Sequence, residues 1–301
     1  MLAILLSLVS AAGYGSSDFA AGLATRRASV IRVTLLAEGV SVAVVGVALA
    51  LTGAGPPSPQ GVAWGSAAGL AGVAGALALY LGFRHAAFSV AATISAVGSA
   101  GFSVLAGLLL GERPTALALI GIALALPAIA GVSASAGGPE DEEAAGAPSP
   151  SPGESAITGR RWVPAGVSYG LVAGACFALL FIGLNQAGAA SGLWPVFCSQ
   201  VAALVGVGGV AAFTGDLRLP EAGGGRLAAV AGLTGGPGTI FFFVATHHGL
   251  LAVAAVITSL YPAVTIMLAR VLVGERLTAI RLAGLILAAA SVALIAVGGA
   301  G

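Results

Sequence analysis

The chain has 301 residues, 58% of them hydrophobic and only 8% charged, with a net charge of +1 and a mean hydropathy of +1.05. A soluble domain carries roughly 25% charged residues, so this composition excludes a water-soluble globule and places the chain in a bilayer. The near-neutral balance argues against nucleic acid as a partner. Two cysteines, Cys176 and Cys198, lie in apolar stretches without CxxC spacing, which argues against a metal site or a disulfide framework.

A membrane helix needs about 20 apolar residues. In chain order the segments that qualify are Leu2–Ala24, Ile31–Leu51, Gly61–Phe83, Ala86–Leu110 and Thr115–Ser135. The N-terminal segment lacks a basic flank and has a counterpart later in the chain, so it reads as a retained first helix and not as a signal peptide. Residues 136–161, with the run PEDEEAAGAPSPSPGES, are acidic and rich in Pro and Ser; they predict a disordered linker. Five more segments follow, Pro164–Gln186, Leu193–Thr214, Leu227–Thr246, Leu250–Val273 and Thr278–Val297.

The second set repeats the first. His248–Gly284 aligns with His85–Gly121 at an offset of 163 residues, with 16 of 37 positions identical, among them Gly111-Glu112-Arg113 and Gly274-Glu275-Arg276, Thr115 and Thr278, Gly121 and Gly284. At the same offset Tyr14 falls on Phe177 and Tyr80 on Phe243. Residues 1–135 and 162–301 are therefore read as two five-helix copies. Because five is odd, the second copy enters the membrane from the opposite side. The fold expected is an all-α membrane protein of ten transmembrane helices arranged as two inverted five-helix repeats. Such repeats mark secondary transporters, with a site between the halves near the midplane.

Eleven of the 12 arginines, all but Arg113, fall on the side holding the odd-to-even loops and the linker. The positive-inside rule then puts the linker in the cytoplasm and both termini outside.

Each copy closes with Gly-Glu-Arg-x-Thr and a following Gly, the chain opens with Tyr14-Gly15-Ser16-Ser17-Asp18-Phe19, and Tyr261-Pro262 lies in the ninth segment. In these features the chain resembles the EamA group of the drug/metabolite transporter superfamily, whose first helix usually carries Trp where Tyr14 stands. The first copy departs from the Tyr-Pro pattern with Gly98-Ser99. The resemblance implies export of metabolites or drugs across a bacterial inner-membrane type of cell membrane. It also implies termini in the cytoplasm, opposite to the arginine count; the topology expected here follows the family.

The candidate site starts with Asp18, one turn after Tyr14 in the first helix. A carboxylate inside a membrane is costly unless paired, hydrated or protonated, so it is a functional candidate by default, for proton coupling or for a cationic group of the substrate. Glu38, about two turns into the second helix, is the second proton-coupling candidate; a local structural pair is the competing account. The run Thr234-Gly235-Gly236-Pro237-Gly238-Thr239 predicts an interruption of the eighth segment, matched by Gly72 and Gly75 in the third. There Pro237 would free carbonyls toward substrate, unless the glycines serve close helix packing instead. Tyr14, Phe177, Phe243 and Tyr261 are candidates for an aromatic wall. Thr93, Ser95, Thr258 and Ser259 could hydrogen-bond a ligand or their own backbone. His85 and His248 read as turn residues or as a titrating pair, and the Glu-Arg pairs as anchors at helix ends.

Together these features predict a transporter of small organic solutes working by alternating access. Export of amino acid-like metabolites or drugs, with proton coupling, leads; a sugar or other solute importer or facilitator is the alternative. An intramembrane lipid-modifying enzyme is the remote alternative, for which the clustered His, Asp or Glu residues are lacking. No catalytic residue, metal or cofactor is expected. The partners expected are a small-molecule substrate and the lipid bilayer; a monomer suffices and a homodimer is compatible.

Overall fold

The computed structural model describes residues 1–53, 55–85, 88–134, 155–274 and 278–298, and the described residues form helices joined by short loops. The helices are α1 (Leu2–Thr25), α2 (Val30–Leu51), α3 (Pro59–His85), α4 (Phe88–Leu109), α5 (Ala116–Ala134), α6 (Ser155–Gln186), α7 (Trp194–Thr214), α8 (Ala222–His248), α9 (Leu251–Thr258), α10 (Tyr261–Leu268) and α11 (Ala279–Gly298), with a π-helical turn, Ala269–Val273, extending α10. Eight described stretches are long and apolar enough to cross a membrane, with α9, α10 and the π turn counting as one; Ile94–Leu109 and Ala116–Val132 are shorter apolar helices. Leu5, Leu105, Leu109, Val205, Phe213 and Ile286 all point outward and exposed, as a lipid-facing surface requires.

Two expectations need correction. The sixth helix begins at Ser155, so the last seven residues of the predicted linker are helical. A helix once nucleated extends at little cost, and Ala156, Arg160 and Arg161 are good helix formers. The rest of the predicted linker lies outside the described residues. The eighth helix is not interrupted: α8 runs from Ala222 to His248 with Pro237 inside it. One missing N–H removes one hydrogen bond, and tight packing on both sides of α8 holds the remaining turns in register.

The break falls in the ninth span. α9 ends at Thr258, Leu260 N–H turns back to the Ile257 carbonyl at 3.2 Å, and α10 starts at Tyr261-Pro262. Pro262 lacks the N–H that would have continued the ladder and is tolerated at the start of a new helix. The matching positions Gly98-Ser99 contain no proline, and α4 passes through them unbroken. Gly215 (φ 71°) and Gly274 (φ 81°) end α7 and the π turn in the left-handed conformation that only glycine adopts freely.

Packing follows the 163-residue offset. α1 lies along α8 while α6 lies along α3; α2 packs on α8 and α7 on α3; α1 meets α9 and α10 while α6 meets α4; and α5 pairs with α11. Each helix thus packs on partners from the other copy. The contact points correspond as well. A Cβ on Gly13 would come within 2.9 Å of Gly238 Cα, and at the equivalent crossing Gly75 lies against Cys176 and Phe177. Gly121 sits on Ser291 and Ile295, and Gly284 on Gly131 and Val132. In lipid, where apolar burial gives helices no reason to associate, such close backbone approach supplies the attraction.

Candidate functional site

α1 and α8 cross so closely that their small residues form a polar seam. Ser10 Oγ donates to the Gly238 carbonyl at 2.8 Å, and the Tyr14 hydroxyl donates to Thr239 Oγ1 at 3.0 Å. Thr239 in turn donates to the Gly235 carbonyl at 3.2 Å, beside which Ser17 stands. α2 closes the other flank of α8: Ser41 Oγ donates to the Gly232 carbonyl at 3.1 Å, and Gly232 lies against Ala37 and Val40. The glycines of the Thr234–Thr239 run therefore serve close helix packing.

Asp18 is the carboxylate this seam frames. With 3.6 residues per turn it falls about 40° around α1 from Tyr14, between the stripe facing α8 and Gly15, which faces α10. Gly15 abuts the Tyr261 carbonyl and Val264, and Thr265 Oγ1 donates to the Gly15 carbonyl at 3.0 Å. Although flanked by these contacts, Asp18 is itself exposed. Glu38 approaches from α2, next to Ala37, and its Oε2 is buried with no hydrogen-bond partner. Both carboxylates lie close enough to the Tyr14 hydroxyl to act on it electrostatically. Among the described residues the one ion pair is Arg32–Asp216, so neither Asp18 nor Glu38 is matched by an arginine.

The remaining candidates are placed as follows. Pro237 is half-buried within continuous α8, one residue before the Gly13 crossing. Phe243 is buried in the core cluster against which Tyr14 also packs, its ring 4.4 Å from that of His247. Tyr261 starts α10, half-buried, with its carbonyl accepting from Thr265 Oγ1 at 3.3 Å. Phe177 lies apart from these, half-buried against Gly75 at the α3–α6 crossing. Ser95, Thr258 and Ser259 are fully buried; Thr258 Oγ1 donates to the Ser7 carbonyl at 3.5 Å, and Ser259 lies 3.4 Å from Ser99 Oγ. The side chains of Thr93 and His85 lie outside the described residues, as do Glu275 and Arg276. His248 is exposed at the end of α8; its neighbour His247, which sequence reasoning passed over, is half-buried with Nδ1 2.7 Å from the Phe243 carbonyl. Glu112 caps α9, accepting from the N–H groups of Leu251 at 2.5 Å and Ala252 at 2.9 Å.

The two equivalent crossings differ in chemistry. Ser10, Tyr14, Asp18, Glu38, Ser41 and Thr239 fall at the 163-residue offset on Ala173, Phe177, Phe181, Val201, Leu204 and Ala76. Phe181 is 4% exposed and its ring centroid lies 4.3 Å from that of Phe242. One crossing is thus polar and acidic and the other is apolar. A surface concavity of about 330 Å³ between α4 and α5 is lined by Gly98, Phe102, Leu105, Ile122 and other apolar residues and contains none of the candidates.

The model of the EamA-like transporter family matches residues 1–134 and again residues 164–297. A solved crystal structure of another protein superposes with a TM-score of 0.73 at 17% identity, covering 98% of each chain, a likeness of fold. No curated protein matches in sequence.

Proposed function

Because the chain belongs to the EamA-like transporter family, we propose that it is a secondary transporter that moves small organic solutes by alternating access, exporting amino acid-like metabolites or drugs across a bacterial inner-membrane type of cell membrane. The ten spans are read as two inverted five-helix halves, 1–135 and 162–301. Supporting this, each helix packs on partners from the other copy, and the equivalent glycine crossings correspond at a constant offset. Exchange between two arrangements of such halves moves a midplane site from one face to the other.

The observation that carries the proposal is Asp18: an exposed carboxylate within a membrane helix, one turn from Tyr14 and, among the described residues, in no ion pair with an arginine. Desolvating a lone carboxylate is costly, so Asp18 and Glu38 are proposed to take up a proton or a cationic group of the substrate in turn. Tyr14 positions Asp18 from one helical turn away and is itself fixed by Thr239. Pro237, Phe243 and Tyr261 are proposed to contribute the surrounding wall; Phe177, at the equivalent α3–α6 crossing, lies apart from it.

The test is reconstitution in liposomes holding an internal pH dye, challenged with a panel of amino acids, sugars and cationic drugs. The expected result is a solute-specific pH change that disappears in Asp18→Asn. A solute-specific change that persists undiminished in Asp18→Asn and in Glu38→Gln would remove both carboxylates from the coupling step.

A further inference from the structure

The loops at the two ends of α2 and α7 are tied together by different chemistry. These helices pack antiparallel, so the start of α2 meets the end of α7 and the end of α2 meets the start of α7. At the first end Ser29 caps α2, its Oγ accepting from Arg32 N–H at 3.4 Å, and the same hydroxyl donates to Asp216 Oδ2. Arg32 Nε lies 2.5 Å from Asp216 Oδ1. Asp216 follows directly on Gly215, the left-handed residue that ends α7.

At the other end the side-chain bonds among the described residues are neutral. Ser58 Oγ and Ser191 Oγ lie 3.1 Å apart, Gln60 Nε2 donates to the Gln186 carbonyl at 2.9 Å, and Trp194 Nε1 donates to the Gly55 carbonyl at 2.8 Å. The two ties occupy equivalent places. Shifted by 163 residues, Ser29 and Arg32 fall on Gly192 and Pro195, and Asp216 falls on Gly53. The chain has thus kept a tie at both ends but made only one of them ionic. The charged groups around Asp216 are Arg32 and Arg218; Ser29 and these two hold its carboxyl below the usual carboxylate range. Arg27 approaches the start of α8 at Gly223, and Glu221 and Arg226 complete the charged groups along that segment.

We infer that Ser29, Arg32 and Asp216 form an ionic latch between the α1–α2 and α7–α8 loops, which holds one face of the transporter shut and yields to ionic strength, while the Ser58–Ser191, Gln60 and Trp194 tie at the opposite face does not. The inference rests on the alternating-access reading for its meaning but not for its test, which uses no solute. Arg32 and Asp216 are half-buried, with 32% and 20% of their side chains open to solvent, and salt weakens the solvent-accessible part of their attraction as the Debye length contracts from about 10 Å at 0.1 M to about 3 Å at 1 M. Neutral hydrogen bonds have no such dependence.

The experiment is hydrogen exchange with mass spectrometry on the full chain in lipid nanodiscs, following the amides at the start of α2 and end of α7 against those at the end of α2 and start of α7. Raising salt from about 0.05 M to about 1 M should speed exchange at the Arg32–Asp216 end about two- to fourfold and leave the opposite end unchanged within about 1.5-fold. Asp216→Asn should reproduce this at low salt, and the exchanged pair Arg32→Asp with Asp216→Arg should restore protection. Ser58→Ala with Ser191→Ala should loosen only the opposite end. Should any variant fail to fold, the salt series on the unaltered protein decides alone. Equal responses at both ends, or none at either, would overturn the latch. If the ends respond unequally but no solute is transported, the latch stands and the transport reading fails.

Discussion

The Tyr14 hydroxyl donates to Thr239 Oγ1 at 3.0 Å, joining the first helix of one copy to the eighth helix of the other, one turn from the exposed carboxylate of Asp18. The equivalent position in the second copy holds Phe177, a ring of the same shape without the hydroxyl. The fold therefore accepts a phenyl group at such a crossing. Tyr14→Phe should cost about 1 kcal/mol of stability while lowering solute-driven flux about tenfold, because Asp18 loses its fixed neighbour. Thermal unfolding in detergent, compared with liposome flux, separates the two. A variant that loses flux only in proportion to folded protein would reduce Tyr14 to a packing residue.

The α1–α8 crossing gives an unequal pair of glycine substitutions. A Cβ at Gly13 would press within 2.9 Å of Gly238 Cα and the Thr234 carbonyl, both backbone atoms that cannot step aside. A Cβ at Gly238 meets nothing nearer than Tyr14 N at 3.3 Å. Gly13→Ala should destabilise by about 1–3 kcal/mol through overpacking. Gly238→Ala should come out near neutral, since a helical alanine gains about 1 kcal/mol over glycine. Unfolding temperatures of the two variants side by side check the order.

Glu112 ties the end of α4 to the start of α9 by accepting two backbone N–H groups. Both would otherwise be orphan donors at a helix start inside the protein. Glu112→Ala should cost about 1–2 kcal/mol and speed amide exchange at Leu251 and Ala252. Glu112→Gln, which keeps the acceptor oxygen but not the charge, should recover part of that protection. Unchanged exchange in Glu112→Ala would show that the cap contributes nothing.

The Asp216 latch has a defined pH window. Its carboxyl is held low, first by the Ser29 hydroxyl and then by Arg32 and Arg218. A carboxylate whose folded value is depressed gives its full contribution above its unfolded value and loses it as pH falls through the lowered folded value. Protection at the Arg32–Asp216 end, taken relative to the intrinsic exchange rate at each pH, should therefore stay constant from about pH 8 to about pH 5 and fall only below about pH 4, the ordinary range for aspartate. A loss of protection centred near neutral pH would assign the opening to another group.

Much of this arrangement was legible residue by residue. The repeat of Gly-Glu-Arg-x-Thr marks corresponding turns whatever the fold, and the apolar segments mark membrane helices because lipid leaves the backbone no other solution. The Glu112 anchor was foreseen as an end-of-helix carboxylate, but not that it reaches across to the other copy. The break was expected at Pro237 and occurs at Pro262. Both are prolines in apolar spans, and neighbouring helices decide which one kinks its helix: α1 and α2 grip α8 on either side of Pro237. The latch was invisible because Arg32 and Asp216 are separated by 184 residues and neither carries a motif.

The sequence by itself determined that this is a multi-pass membrane protein, because composition and segment length are properties of the chain taken in order, and its repeated Gly-Glu-Arg-x-Thr pointed to the transporter family whose model matches each half. It also singled out Asp18 and Glu38, since an acid in an apolar span is conspicuous wherever it folds. Only the tertiary structure decided that these acids share one crossing with Tyr14 and Thr239, and that the equivalent crossing is apolar. Which residues face one another depends on how helices distant in sequence approach, and that approach is set by small-residue packing at points such as Gly13 and Gly238.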